Sequence, residues 1–226
     1  MNTVNKMMLE KPFFDFAHLE SMLVKGSQAI GVAPDELQIR QFLSYLTLLS
    51  RWNTVYNLTA IRTPEEMMTH HVLDSLAVAP TLKEARHVLD VGSGAGLPGI
   101  VLAILYPEMQ VSLIDAVQKK TAFLSQVKAE LRLKNVMVYT GRVEKLRATG
   151  KFDAIISRAF SDLSLFVELS GHLLAEGGCF YAMKGMVPKE EIQALPAGLK
   201  VKAVVPLKVP FLDAERHLLI LKKQAA

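Results

Sequence analysis

The chain has 226 residues, half of them hydrophobic, 21% charged and 7% aromatic, with a net charge of +4. That length suits one core domain plus a small appendage; the apolar content excludes intrinsic disorder, and 13 Gly with 10 Pro exclude a fibrous chain. A single cysteine, Cys179, removes a disulfide framework and any multi-cysteine zinc site. No apolar run approaches the ~20 residues a membrane-spanning helix needs. Glu10, Lys11 and Asp15 interrupt the start where a signal peptide needs an unbroken apolar stretch. The expectation is a reduced, cytoplasmic, soluble protein without a membrane partner.

The first third reads helical. Asp15 is placed to cap a helix running to about Gly31, and Pro34 with Asp35 and Glu36 opens a second. Ile39, Leu43, Leu46 and Leu49 recur at three- and four-residue steps, so one face of that helix must bury. Thr63-Pro64-Glu65-Glu66 combines a capping box with a first-turn proline and starts a third helix, expected to end near Pro80.

After residue 86 the pattern becomes strand, turn, helix. Strands are expected at His87–Val91, Gln110–Asp115, Val136–Thr140, Asp153–Ser157 and Cys179–Lys184, with helices over 95–105, 117–133 and 162–174 between them. Such alternation signals a parallel sheet covered on both faces. Val201–Val209 and Arg216–Lys222 are joined too closely for a helical crossover, so this last pair reads as antiparallel. The expected fold class is α/β: a Rossmann-like, mostly parallel seven-stranded sheet with an antiparallel last strand. Residues 1–65 form an N-terminal helical extension before a domain at 66–226.

Charge is uneven. Residues 118–147 carry eight basic residues against two acidic ones, and the tail from 200 onward six against two. Two such blocks could meet in the fold and attract a polyanion; the alternative is a solvated helix face plus a solubilising tail.

The most informative stretch is Asp90-Val91-Gly92-Ser93-Gly94-Ala95-Gly96-Leu97-Pro98-Gly99, where a buried strand runs through a glycine turn into a helix. Glycines there let the backbone lie against a ligand that any Cβ would strike. Asp115 ends the next strand, where a carboxylate can accept both hydroxyls of a ribose. Gly94, Gly96 and Gly99 match the dinucleotide pattern G-x-G-x-x-G, whereas Asp90 to Gly96 matches the D-x-G-x-G-x-G loop that methyltransferases use for S-adenosylmethionine. Asp90 separates the two readings: it can help hold an α-ammonium, directly or through water, but would repel a pyrophosphate. The absence of any Tyr-x-x-x-Lys pair and of a second large domain also favours S-adenosyl-L-methionine over a nicotinamide cofactor.

Asn57-Leu58-Thr59-Ala60-Ile61, His71-Val72-Leu73-Asp74-Ser75-Leu76, Leu89–Ile100, Ser157-Arg158-Ala159-Phe160, Lys184-Gly185 and Glu215-Arg216-His217-Leu218-Leu219 occur in an order that resembles the bacterial small-subunit rRNA methyltransferase family RsmG, once called GidB. The resemblance runs from about residue 40 to the C-terminus. It implies a class I methyltransferase fold and S-adenosylmethionine-dependent methylation of N7 of one guanine, position 527 of the 16S ribosomal RNA, with RNA or a small-subunit assembly intermediate as partner. It also implies cofactor contacts at Gly92, Leu97, Val143, Glu144 and Arg158. The family's Ala-Glu-Glu after Gly-Arg is here Val143-Glu144-Lys145, so a lysine stands where the family has its second acid.

Guanine N7 carries a lone pair and no proton, so this chemistry requires no general base and no catalytic residue of that kind is assigned. Arg158 follows the fourth strand at the edge where ligands of such sheets bind. It is placed for the cofactor's carboxylate, an RNA phosphate or guanine O6; the plainer alternative is a salt bridge to Asp162. Lys184 lies at the same edge as a phosphate contact or a surface lysine. Arg216 and His217 open the last strand toward RNA, unless Arg216 merely pairs with Glu215 or Asp213. His70 and His71 are adjacent on a helix and point apart, which argues against a metal site. Asn57, Thr59, His71, Asp74 and Ser75 read as a polar network locking helices to the sheet, with RNA contact the second reading. Trp52 and Tyr56, four apart, read as core rather than as base-stacking platforms. Two other functions stay open at this point: an RNA-binding assembly factor that keeps the fold without turnover, and a methyltransferase of a non-RNA substrate.

Overall fold

The structure, a computed structural model, describes residues 14–158, 160 and 162–224. Helix α1 (Phe16–Ile30) is capped by Asp15, which accepts from the His18 N–H, and ends on left-handed Gly31. Helix α2 (Glu36–Tyr56) opens on a full capping box: Asp35 accepts from Gln38 N–H at 2.8 Å and the Gln38 side chain accepts from Asp35 N–H at 2.9 Å.

The third expected helix is broken. A short α3 (Pro64–Met67) passes into a π-helical turn (Met68–Leu73), then α4 (Asp74–Leu76), and α5 (Ala79–Leu82) follows. Pro80 restarts a helix rather than ending one, because a first-turn position needs no N–H donor. Thr63 accepts from Glu66 N–H, but the Glu66 carboxylate takes the Thr63 hydroxyl instead of reaching back to the backbone, so only half of the expected box forms.

Strands β1 (His87–Val91), β2 (Gln110–Asp115) and β3 (Val136–Thr140) lie where the sequence predicts them. They are followed by β4 (Phe152–Ser157), β5 (Leu174–Lys184), β6 (Leu199–Pro206) and β7 (His217–Lys223). The seven-stranded sheet has order β3-β2-β1-β4-β5-β7-β6, parallel except for β7, which runs antiparallel to both neighbours. The crossover helices are α6 (Gly99–Leu105), α7 (Gln118–Glu130) and α8 (Leu163–Ser170). Sequence patterning missed α9 (Lys189–Gln193), and β5 begins five residues early across a bulge opposite Phe152 and Ala154.

Strand residues alternate between two cores. Val88, Ala154 and Ile156 belong to the one shared with α1, α2, α6 and α7; Leu89, Val91 and Ile155 belong to the one under α8. The extension is therefore packed into the sheet's own core. Gln38 donates to the Ile104 and Leu105 carbonyls at 3.0 and 2.9 Å, satisfying the end of α6. Gln38→Ala strands both carbonyls and loses half a capping box; urea unfolding is expected to show a loss of about 2–4 kcal/mol.

Topology also separates the two basic blocks. Residues 118–147 flank β2 and β3 at one end of the sheet and the tail lies in β6 and β7 at the other, so they do not form one surface. Within the first block Lys119 donates to the Tyr56 carbonyl and Lys120 pairs with Asp115 at 3.5 Å.

Candidate functional site

Two clefts open at the carboxyl edge of the parallel strands. The first, about 300 Å³, is lined by Gly92 of the glycine loop, Asp115, Gly141, Val143, Glu144 and Phe160, among others. The second, about 350 Å³, is lined by His70, His71, Asp74, Arg158, Lys184, Arg216 and His217, among others. Arg158 borders one cleft and Phe160, two residues on, borders the other, so the two adjoin across the end of β4.

The loop before α6 is stitched to the sheet. Gly92 N–H and Ser93 N–H both donate to the Ile114 carbonyl, and the Ser93 hydroxyl donates to the Asp90 carbonyl at 2.8 Å while accepting from Ile114 N–H. Above the sheet, the fully buried Tyr45 of α2 donates to the Ala95 carbonyl at 2.8 Å. Burial raises that phenol's pKa well above its ordinary value. Sequence reasoning missed Tyr45, since its partner lies fifty residues away.

Asp115 holds the loop as well as facing the cleft. Its Oδ2 accepts from Gly94 N–H at 3.0 Å and its Oδ1 from Val117 N–H at 2.9 Å. Asp90 turns inward with no exposed surface and enters the lining of neither cleft. Its Oδ2 accepts from Gly99 N–H at 3.0 Å, whereas its Oδ1 has no partner among the described residues. Burial pushes this carboxyl up to about 7, against the pull of the Gly99 N–H and the Arg158 charge.

The second cleft gathers all four residues expected to meet RNA, but with other partners than the sequence suggested. Arg158 does not pair with Asp162, which caps α8 through Leu165 N–H; it donates to Asp74 at 3.2 Å and to the His70 carbonyl at 3.0 Å. Arg216 Nε donates to Asp74 at 3.0 Å rather than pairing with Asp213 or the Glu215 carboxylate. Lys184 is no plain surface lysine: it is mostly buried and pairs with Glu191 of α9 at 2.9 Å. Glu191 also accepts from Leu163 N–H, which ties the start of α8 to the end of β5. His217 Nδ1 donates to the Gly185 carbonyl at 2.6 Å.

The polar network expected around residues 57–75 is present in part. His71 Nε2 and Thr59 Oγ1 lie 2.9 Å apart, and burial with the Arg158 charge lowers the imidazole to about 4, so it is neutral near pH 7. Asn57 caps α2 in a left-handed conformation and accepts from Arg62. Trp52 packs on Phe123 with ring centroids 5.5 Å apart, while Tyr56 is half exposed beside it. Among the described residues no group of three or more His, Cys, Asp or Glu could hold a metal ion, and no helix is long and apolar enough to cross a membrane.

Comparison with known proteins agrees with this layout. The GidB family model, described as rRNA small subunit methyltransferase G, matches residues 38–219. A ribosomal RNA small subunit methyltransferase G from Herminiimonas arsenicoxydans is 55% identical over 214 residues, covering 93% of this chain and 98% of that protein. One from Burkholderia ambifaria is 55% identical over 207 residues, covering 89% and 91%. Among solved structures, the glycopeptide N-methyltransferase MtfA complexed with S-adenosyl-L-methionine shares the fold at a TM-score of 0.58 and 12% identity, covering 69% of this chain and 96% of that one. The ribosomal protein L11 methylase from Lactobacillus delbrueckii subsp. bulgaricus does so at 0.55 and 15%, covering 73% and 81%. The sheet order, the glycine loop at the end of β1 and these matches together place the chain in the GidB family, rRNA small subunit methyltransferase G.

Proposed function

We propose that this protein transfers the methyl group of S-adenosylmethionine to N7 of a guanine in small-subunit ribosomal RNA, guanine 527 of the 16S rRNA by the resemblance noted above. The substrate is the RNA itself or a small-subunit assembly intermediate in the cytoplasm. One observation carries the reading: a glycine loop facing one cleft adjoins a second cleft walled by two arginines at the same sheet edge.

The first cleft fits such a cofactor. A Cβ on Gly94 would meet nothing closer than the Gly92 carbonyl at 3.8 Å, so the space over the loop is open rather than filled by protein. The buried Asp90 Oδ1, behind the loop, lacks a partner among the described residues, which suits a water bridging it to a cationic group in the cleft. Asp115 offers acceptors for ribose hydroxyls, and Val143 with Phe160 offers an apolar wall for a base. When bound, S-adenosylmethionine supplies a methyl already activated on a sulfonium.

The chain's task is then orientation. Gly92 and the open Gly94 present the loop backbone to the amino-acid end, with Leu97 beyond them and Asp90 supporting the loop from behind. Gly96, expected to face the ligand, is instead packed, since a Cβ there would come within 2.5 Å of Ile100 and 2.8 Å of Leu124. Asp115, Val143 and Glu144 fix the nucleoside end. Arg158 lines the second cleft rather than the first, together with Lys184, Arg216 and His217 on the RNA side. Guanine N7 has no proton to remove, so none of these groups acts as a base; holding the reactants in line contributes several kcal/mol.

Labelled methyl transfer onto small-subunit RNA from cells lacking this gene tests the reading, with the modified base then identified. N7-methylguanine is expected; no transfer to any RNA, or transfer to another atom, would overturn it. Asp115→Ala removes the ribose acceptors and two loop hydrogen bonds, and titration calorimetry is expected to show cofactor affinity weakened about 10- to 100-fold.

A further inference from the structure

Asp74 is nearly inaccessible, yet it joins two residues that reach it from 84 and 142 positions away in the chain. Its Oδ2 accepts from Arg158 and its Oδ1 from Arg216, one oxygen to each guanidinium. Both arginines remain about a third exposed, at 32% and 27%, and both line the second cleft. Arg158 has a further anchor in the His70 carbonyl, which belongs to the π-helical turn just before Asp74. Arg216 has one in the Glu215 carbonyl, and its own carbonyl closes the β6–β7 loop by accepting from Leu207 N–H at 2.7 Å. Interruptions of this kind in a helix recur at functional sites. At about 350 Å³ the cleft suits a single extruded base rather than a stretch of duplex.

A guanine in such a pocket creates a conflict. Its Hoogsteen edge presents O6 and N7 side by side, and a free arginine prefers to engage both with its fork. In this reaction a donor on N7 would occupy the lone pair that must attack the methyl carbon. An arginine useful here must therefore be restrained from taking both acceptors.

We propose that Asp74 is a positioning residue of a pocket for one extruded guanine. By engaging Arg158 and Arg216 together, it keeps their guanidiniums from closing on N7 and leaves O6 as the acceptor they can reach. This inference rests on the proposed methyl transfer to RNA.

The test is Asp74→Asn in the full chain, assayed on small-subunit RNA at saturating cofactor. The rate at saturating RNA is expected to fall about 100-fold, while the KM for RNA stays level or drops, because the freed arginine binds guanine better but unproductively. In an Arg216→Gln background the same change should cost about tenfold rather than about 100-fold, since only Arg158 is left for it to release. An equal loss with and without Arg216, or a raised KM at an unchanged saturating rate, overturns the proposal. Should Asp74→Asn not fold, Asp74→Glu carries the test: it keeps the charge but shifts the carboxylate that seats both guanidiniums. A lower saturating rate at constant KM supports the inference, and a raised KM alone marks a simple phosphate contact and overturns it. If the unaltered protein methylates no RNA, the proposed function fails and this inference with it; an active unaltered protein with additive variants overturns only the inference.

Discussion

Gly94→Leu is expected to abolish measurable S-adenosylmethionine binding while lowering the melting temperature by only about 2–8 °C. Gly94 has φ +58°, and its Cβ would stand 3.8 Å from the nearest atom, the Gly92 carbonyl. The cost to the fold is then the left-handed backbone alone, about 1–2 kcal/mol, and each kcal/mol moves the midpoint about 2–4 °C in a chain of this size. The side chain would instead fill the space over the loop, where the cofactor is proposed to lie. Gly99 gives the contrast. Its φ is ordinary, but a Cβ there would come within 2.2 Å of Leu113 Cδ2 and 2.8 Å of the Asp90 carboxylate. Gly99→Ala is expected to cost about 3 kcal/mol of stability through overpacking and a displaced Asp90. Calorimetry with the cofactor and a thermal melt on each variant separate the two glycines. Wild-type affinity in Gly94→Leu would mean that no ligand rests on the loop.

That contrast also marks what the sequence makes legible. Strands β1, β2 and β3 are short apolar runs ending in turn residues, so their bounds follow from the residues themselves. The glycine motif shows where the chain turns and that a carboxylate stands before it. It does not show that Gly94 is open, that Gly99 is packed, or that Asp90 faces inward, because those facts depend on Leu113 and on α6. Asp74 is readable as a polar residue in an apolar helix, yet its two arginines arrive from the ends of β4 and of the β6–β7 loop. Tyr45 and Gln38 are likewise ordinary positions of α2 until the backbone carbonyls of the loop and α6 are set above them. Helix α9 carries no apolar period at all; its Glu191 matters only because Lys184 and Leu163 lie beside it. The two basic blocks mislead for the same reason, since charge along the chain does not reveal which end of a sheet a segment joins.

The second large effect expected is a pH dependence carried by Asp90. Its folded pKa is raised from 3.8 to about 7, chiefly by burial, so between those values the folded protein holds a proton that the unfolded chain has lost. The sign follows: the protonated carboxyl's contribution to stability is complete below pH 3.8 and disappears as pH rises through 7. Three units correspond to about 4 kcal/mol. Asp90→Asn keeps the shape and the acceptor for Gly99 N–H but does not titrate, and its amide in place of Oδ1, which has no partner among the described residues, costs a pH-independent amount. Wild-type stability minus that of Asp90→Asn is therefore expected to fall by roughly 4 kcal/mol between pH 4 and pH 8 in urea melts. Parallel curves would show that Asp90 is ionised throughout. The proposed cofactor adds a linked result: a cationic ammonium near this carboxyl favours its charged form. Binding by the wild type should tighten as pH rises through 7 and release close to one proton below it, counted by calorimetry in buffers of different ionisation enthalpy. In Asp90→Asn the proton release should vanish, and if it persists undiminished, Asp90 is not the group that senses the cofactor's charge.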